Sequence, residues 1–138
     1  MFRILKGIRL PTTALVQTDG SFRPVLSRTA VILTTHRGVE HTLSKTYDTH
    51  INSTESEWCS VLDGIQYAMR RGEGSLDLEN DNLGVIRSLI KERMPMNPLM
   101  AEYYAAITAH MNYLDYFSVR WIPRRFNRAD GLFRLPRS

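Results

Sequence analysis

VQTDGSF, residues 16–22, joins a short apolar run to an acid, a glycine and a serine. Two interpretations of Asp19-Gly20 are open: the pair forms a tight hairpin turn, or Asp19 is a metal ligand at the end of a strand. The hairpin requires a strand directly after Gly20, yet residues 22–24 are Phe-Arg-Pro, and proline suits an edge or a loop better than a central strand. The choice depends on whether the rest of the chain places other carboxylates beside Asp19.

The pattern on either side of this stretch predicts an α/β fold. Residues 14–18, 29–35 and 39–47 are typical of three strands with short connections, which suggests an antiparallel meander. Apolar residues then follow helical spacing, and the predicted helices lie at 58–69, 83–90 and 99–113, with strands at 76–79 and 117–122 and a short closing helix from residue 127. The order β-β-β-α-β-α-α-β-α implies a five-stranded mixed sheet with helices on both faces.

Four acids stand where these predicted elements meet: Asp19, Glu57, Asp81 and Asp130. Each has a structural explanation as well, because acids favour helix starts and turns; Thr54 and Glu57, for example, have the spacing of a capping box. Taken together, the four recur at comparable positions around one sheet, where side chains converge. Converging carboxylates repel one another unless a cation lies between them. The hard cations Mg²⁺ and Mn²⁺ prefer such oxygen ligands, and two of them suit phosphodiester hydrolysis.

Composition narrows the class of protein. A chain of 138 residues suits one compact domain, and its single cysteine, Cys59, allows no internal disulfide, so we expect a reducing, cytoplasmic location. No apolar run reaches the length of a membrane span, and residues 1–10 lack the features of a signal peptide. The net charge of +4 is compatible with a polyanionic partner. Arginines crowd the last stretch of the chain: Arg120, Arg124, Arg125, Arg128, Arg134 and Arg137.

Four segments, in order, resemble type 1 ribonuclease H. They are TDGS at 18–21, SEW at 56–58 opening a helix, ENDN at 79–82 before another helix, and WIPRRFNRAD at 121–130. The last is the most distinctive, because it is similar to the family pattern W-[IV]-P-R-x-x-N-x-x-A-D. The resemblance makes residues 14–138 the predicted ribonuclease H-like catalytic domain. Residues 1–13 remain an N-terminal extension of unknown role: an extra strand, an arm or an interface.

The resemblance implies an endoribonuclease that cuts the RNA strand of RNA–DNA hybrids and leaves 3′-hydroxyl and 5′-phosphate ends. It also implies that two Mg²⁺ ions, replaceable by Mn²⁺, are held by Asp19, Glu57, Asp81 and Asp130. Asp19 is expected to bridge the ions, with Glu57 and Asp81 on the leaving-group side and Asp130 on the side of the attacking water. The expected substrate contacts are Gly20, Ser21, Asn52, Asn82, Arg124, Arg125 and Asn127.

The sequence also departs from the pattern. The loop before Asp130 carries Arg124, Arg125 and Phe126 where many bacterial members have a histidine, and residues 91–95 are too short and too balanced in charge to form a basic protrusion. Three alternatives therefore stay open: a catalytically weak module that binds hybrids or double-stranded RNA, another nuclease or strand-transfer enzyme of the same broad fold, and the ribonuclease H domain of a reverse transcriptase. A monomer is the default expectation.

Overall fold

The computed structural model describes residues 1–24 and 26–134. Arg137, one of the arginines that crowd the last stretch of the chain, lies outside this part. The strands are β1 (Phe2–Lys6), β2 (Ala14–Phe22), β3 (Ser27–Thr34), β4 (Glu40–Tyr47), β5 (Ser75–Asn80) and β6 (Tyr116–Trp121). The helices are α1 (Ser53–Arg70), α2 (Leu83–Ile90), α3 (Pro98–Met111), a short 3₁₀ turn (Arg124–Phe126) and a closing 3₁₀ helix (Arg128–Arg134).

The strands form one mixed sheet in the order β1-β6-β5-β2-β3-β4. The β2, β3 and β4 strands pair antiparallel, as the meander predicted, whereas β5 runs parallel to β2 and to β6. The sheet has six strands rather than the predicted five, because residues 2–6 add an antiparallel edge strand to β6. The rest of the predicted element order is confirmed.

Helices cover both faces of the sheet. The three α-helices pack on the face that carries Val16, Leu33 and Leu78, and together they enclose the main core. The closing 3₁₀ helix packs on the opposite face, where Ala129 contacts Ala30 and Ile32 of β3. Alternating residues of β3 therefore serve two cores, as a strand buried on both sides requires. Among the described residues, no helix has the length and apolarity needed to cross a bilayer.

Candidate metal centre

Asp19 lies inside β2 and not at its end, because the strand continues through Asp19-Gly20 to Phe22. Asp19 pairs with Ala30 of β3, and the reversal of the chain comes later, where Arg23 and Leu26 exchange backbone hydrogen bonds of 3.0 and 3.1 Å. The hairpin interpretation of Asp19-Gly20 was therefore wrong. A buried carboxylate, 4% exposed, is instead held within a central strand.

Gly20 brings the start of α1 against β2. Its backbone N–H donates to Asp19 Oδ1 at 3.0 Å and to Glu57 Oε1 at 3.2 Å, so one donor holds two acids together. A Cβ at this position would lie 2.5 Å from the carbonyl carbon and oxygen of Ser56 and 2.8 Å from the Glu57 nitrogen. Only glycine permits this approach of helix to strand.

The start of α1 is capped by Asn52 and Glu55, not by the Thr54–Glu57 pair that the spacing suggested. Asn52 Oδ1 accepts from the Glu55 N–H at 2.8 Å, and Glu55 Oε1 accepts from the Ile51 N–H at 2.8 Å. These two bonds satisfy donors at the helix start, with Glu55 accepting from the residue before the N-cap rather than from Asn52 itself. Glu57 is thereby left to point at β2.

Asp81 sits in a rigid connection between β5 and α2. The Asn80 side chain donates to the Thr18 carbonyl and hydroxyl oxygens, both at 3.0 Å, and accepts from the Asn82 N–H at 2.7 Å. The Trp121 indole donates to the Asp81 carbonyl oxygen at 3.0 Å. These bonds fix the backbone from which the Asp81 carboxylate projects.

Asp130 is held near the other acids by the segment that precedes the closing helix. Asn127 is buried, and its amide nitrogen donates to the Thr18 carbonyl at 2.9 Å, which ties this segment to β2. Arg124 Nη2 donates to Asp130 Oδ1 at 3.2 Å. Asp130 is not part of the tight cluster that the other three acids form, but it is close enough to repel both Asp19 and Asp81.

The tight cluster consists of Asp19, Glu57 and Asp81, which each place a carboxylate oxygen within 4.8 Å of the others. Glu57 Oε2 and Asp81 Oδ2 are buried and accept no hydrogen bond from the described residues. A buried acceptor without a donor is costly, since it has lost water and gained nothing in return. Three oxygen donors, two of them with such unused atoms, fit a hard divalent cation.

The titration of these acids reflects the same crowding. Burial, followed by repulsion from Asp81 and Asp130, raises the pKa of Asp19 to about 7. Burial and repulsion from Asp19 raise the pKa of Glu57 to about 9. Burial also raises the pKa of Asp81, although a hydrogen bond from Asn127 and the Arg124 charge oppose the rise. The site therefore favours protons or a cation over bare carboxylates.

A family model described as "Reverse transcriptase-like" matches residues 17–131. The chain belongs to this family. The match includes all four acids and excludes β1. No curated protein sequence matches the chain.

Solved structures agree on the fold. The RNase H1 of the halophilic archaeon Halobacterium salinarum NRC-1 superposes with a TM-score of 0.80 at 18% identity, over 87% of this chain and 93% of the archaeal one. LC11-RNase H1, solved in complex with an RNA/DNA hybrid, gives a TM-score of 0.76 at 20% identity, over 86% of this chain and 92% of that one. This member of the reverse transcriptase-like family therefore has the type 1 ribonuclease H fold.

The residues predicted to bind substrate fall into two groups. Ser21 of β2 is half-buried, whereas Arg124 and Arg125 are exposed and line a cavity with Asp130; the Arg125 guanidinium lies 4.8 Å from the centre of the Phe126 ring. The others have structural contacts: Gly20 allows close packing, Asn52 and Asn82 cap α1 and α2, and Asn127 is buried. Substrate contact by any of them stays a prediction.

Three supporting residues were missed by the sequence analysis. Asn80 and Trp121 fix Asp81, and Gly64 lets α1 approach β2, where an added Cβ would lie 2.4 Å from Thr18 Cγ2. The signal available for Asn80 was a polar side chain at the end of a buried strand. Nothing local marked Trp121 as a donor to a residue 40 positions away.

The metal-free protein should lose stability as pH rises from about 4 towards 9. Unfolded carboxyl groups release their protons near pH 4. Folded Asp19 and Glu57 hold theirs until about pH 7 and 9, so raising the pH favours the unfolded state. Mg²⁺ replaces those protons and should raise the melting temperature more at pH 8.5 than at pH 5. Melting curves with EDTA or Mg²⁺ at both values check this, and an equal Mg²⁺ effect at the two would contradict it.

Proposed function

We propose that this protein is a metal-dependent endoribonuclease that hydrolyses the RNA strand of RNA–DNA hybrids. The observation that carries the proposal is the cluster of Asp19, Glu57 and Asp81, with two buried carboxylate oxygens that have no donor in the described part of the chain. Acids with a purely structural role have no reason to converge at such cost. A site for divalent cations explains why these acids converge.

The proposed cofactor is Mg²⁺, for which Mn²⁺ substitutes. Bound at such a site, these ions lower the pKa of a water molecule and stabilise the charge on the leaving oxygen. Asp19 is the central ligand. The Gly20 N–H joins its carboxylate to that of Glu57, and the charge of Asp130 repels it. The position of Asp130 outside the tight cluster supports a division in which it serves the attacking-water side and the other acids serve the leaving group.

The hybrid is the proposed substrate for two reasons. The fold is shared with LC11-RNase H1, which was solved with an RNA/DNA hybrid. The surface beside the acids is also cationic: a cavity of about 630 Å³ is lined by Arg124, Arg125 and Arg128 together with Asp130. Such a surface suits the phosphate backbone, which supplies most of the sequence-independent affinity for nucleic acids.

A substrate panel tests the proposal. Labelled RNA–DNA hybrid, single-stranded RNA, double-stranded RNA and double-stranded DNA are incubated with the protein in Mg²⁺ or Mn²⁺. We expect cleavage of the hybrid in its RNA strand, with 3′-hydroxyl and 5′-phosphate products. Hybrid binding without cleavage in either metal would instead identify a binding module, and cleavage of DNA would refute the proposed substrate while leaving the metal site standing.

Arg125→Ala should weaken hybrid binding through the loss of one phosphate contact. Because each neutralised phosphate releases a counterion, the slope of log K against log salt should fall by about 0.9. The control is Arg37→Ala, since Arg37 is exposed in the β3–β4 turn. Fluorescence anisotropy at several salt concentrations, in Ca²⁺ to prevent turnover, measures both. An unchanged slope in Arg125→Ala would place the hybrid elsewhere.

A further inference from the structure

The β1 strand lies outside the family match, which begins at residue 17, yet it is joined closely to the rest of the fold. It pairs antiparallel with β6, from Phe2 opposite Arg120 to Lys6 opposite Phe117. Leu5 packs against the main core. Residues 1–6 therefore contribute contacts that the family pattern does not contain.

Two cations of β1 bind the C-terminal ends of helices. Arg3 Nη1 donates to the Ile90 carbonyl at the end of α2, and Arg3 Nη2 forms an ion pair of 3.0 Å with Glu92. Lys6 Nζ donates to the carbonyls of Met111 and Asn112 at the end of α3, at 3.1 and 3.0 Å. The last carbonyls of a helix lack partners within it and attract positive charge. Each cation thus fixes one helix end against β1.

The opposite end of α2 is connected to the same segment. The Met1 carbonyl accepts from the Trp121 N–H at 3.0 Å, and the Trp121 indole donates to the Asp81 carbonyl. The α2 helix has only eight residues, and a helix of that length depends on its packing for its position. Its two ends are therefore held by Arg3 and, through Trp121, by Met1.

We propose that residues 1–6 are a positioning element of the metal centre, in which Arg3 fixes α2 and thereby the carboxylate of Asp81. The inference rests on the proposed function, because Asp81 is taken to be a metal ligand. It assigns a role to the segment that the sequence left as an extension. Arg3 is a positioning residue, since it touches neither the acids nor the substrate.

The test measures metal affinity and helix dynamics, independently of cleavage. Mn²⁺ dissociation constants are determined by calorimetry, and hydrogen exchange is followed in residues 83–90. In Arg3→Ala we expect Mn²⁺ to bind about threefold more weakly, because Arg3 acts on Asp81 only through α2 and its own contacts are an exposed ion pair and one carbonyl. Exchange in α2 should quicken by a similar factor. Arg3→Lys keeps a cation within reach of Ile90 and should restore part of the affinity.

Two controls separate positioning from general stability. Lys6→Ala removes the contact with α3 and should lower the melting temperature without changing the Mn²⁺ affinity. Arg9→Ala removes another cation of the N-terminal region, whose ion pair of 3.1 Å is with Asp77 of β5 and not with a helix. This substitution should change neither the melting temperature nor the Mn²⁺ affinity. If Arg3→Ala does not fold, the comparison of Arg3→Lys with Lys6→Ala decides, because only the former should weaken Mn²⁺ binding.

The outcomes distinguish this inference from the proposed function. If the wild type binds Mn²⁺ and Arg3→Ala and Arg3→Lys bind it with the same affinity, the positioning role alone is overturned. Weakening to the same extent in Lys6→Ala would also overturn it, since the effect would then follow stability. Failure of the wild type to bind Mn²⁺ would overturn the metal centre itself.

Discussion

Asp19→Asn should abolish hybrid cleavage and at the same time stabilise the metal-free protein. The loss of activity is expected to reach about 1,000-fold or more, because Asp19 is the acid that links the cluster and its removal disables residues that act as a unit. The gain in stability follows from the same geometry. Asparagine keeps the shape of the side chain and carries no charge to repel Glu57, Asp81 and Asp130.

The stability change can be measured separately from the activity. At pH 8 in EDTA, we expect the melting temperature of Asp19→Asn to exceed that of the wild type by roughly 2–5 °C, the shift that about 1 kcal/mol produces in a domain of this size. In Mg²⁺ the order should reverse, because the wild type alone gains a bound ion. Asp115→Asn is the matched control, since Asp115 is exposed before β6.

Cleavage activity and melting temperature test different parts of this prediction. Full cleavage activity in Asp19→Asn would refute the assignment of the site. Loss of activity together with a lower melting temperature in EDTA would mean that Asp19 stabilises the fold, and would contradict its repulsion by the neighbouring acids. Asp115→Asn should leave cleavage and the Mg²⁺ response unchanged.

Gly20→Ala should be strongly destabilising although it changes no charge. The added methyl would lie 2.5 Å from the Ser56 carbonyl, and neither β2 nor α1 can move without disturbing the sheet or the core. Overpacking against backbone in this way costs about 3 kcal/mol. We also expect cleavage to be lost in the folded fraction, because the Gly20 N–H would no longer hold Asp19 and Glu57 together.

Urea unfolding and single-turnover cleavage together measure both effects. Gly131→Ala serves as the stability control, because an added Cβ there meets no atom of the described residues within 4 Å and the free energy of unfolding should change by less than about 0.5 kcal/mol. A Gly20→Ala protein as stable as the wild type would show that α1 approaches β2 less closely than the structure has it.

The sequence carried more information about the acids and the helices than about the strand limits. The α2 helix could be predicted at residues 83–90 because its apolar spacing is regular and Pro95 follows it. The four acids could be grouped because all of them adjoin predicted elements of one sheet. By contrast, Asp19-Gly20 was taken as the end of a strand, since both residues are rare in strands. Pairing with β3 outweighs that propensity and carries β2 to Phe22.

Other features depend on contacts between distant parts of the chain. The β1 strand pairs with residues more than 110 positions away, and its short sequence, FRILK, has no clear alternation to announce it. The helix cap was ambiguous for a different reason. Asn52 with Glu55 and Thr54 with Glu57 are both three residues apart, and only the path of the backbone selects the first pair.

The most direct test of the metal centre is the anomalous scattering of Mn²⁺ in crystals of the protein. We expect an anomalous peak in coordination contact with the carboxylates of Asp19, Glu57 and Asp81, and loss of that peak in Asp19→Asn crystals. Saturating Mn²⁺ with no peak among these three acids would contradict it.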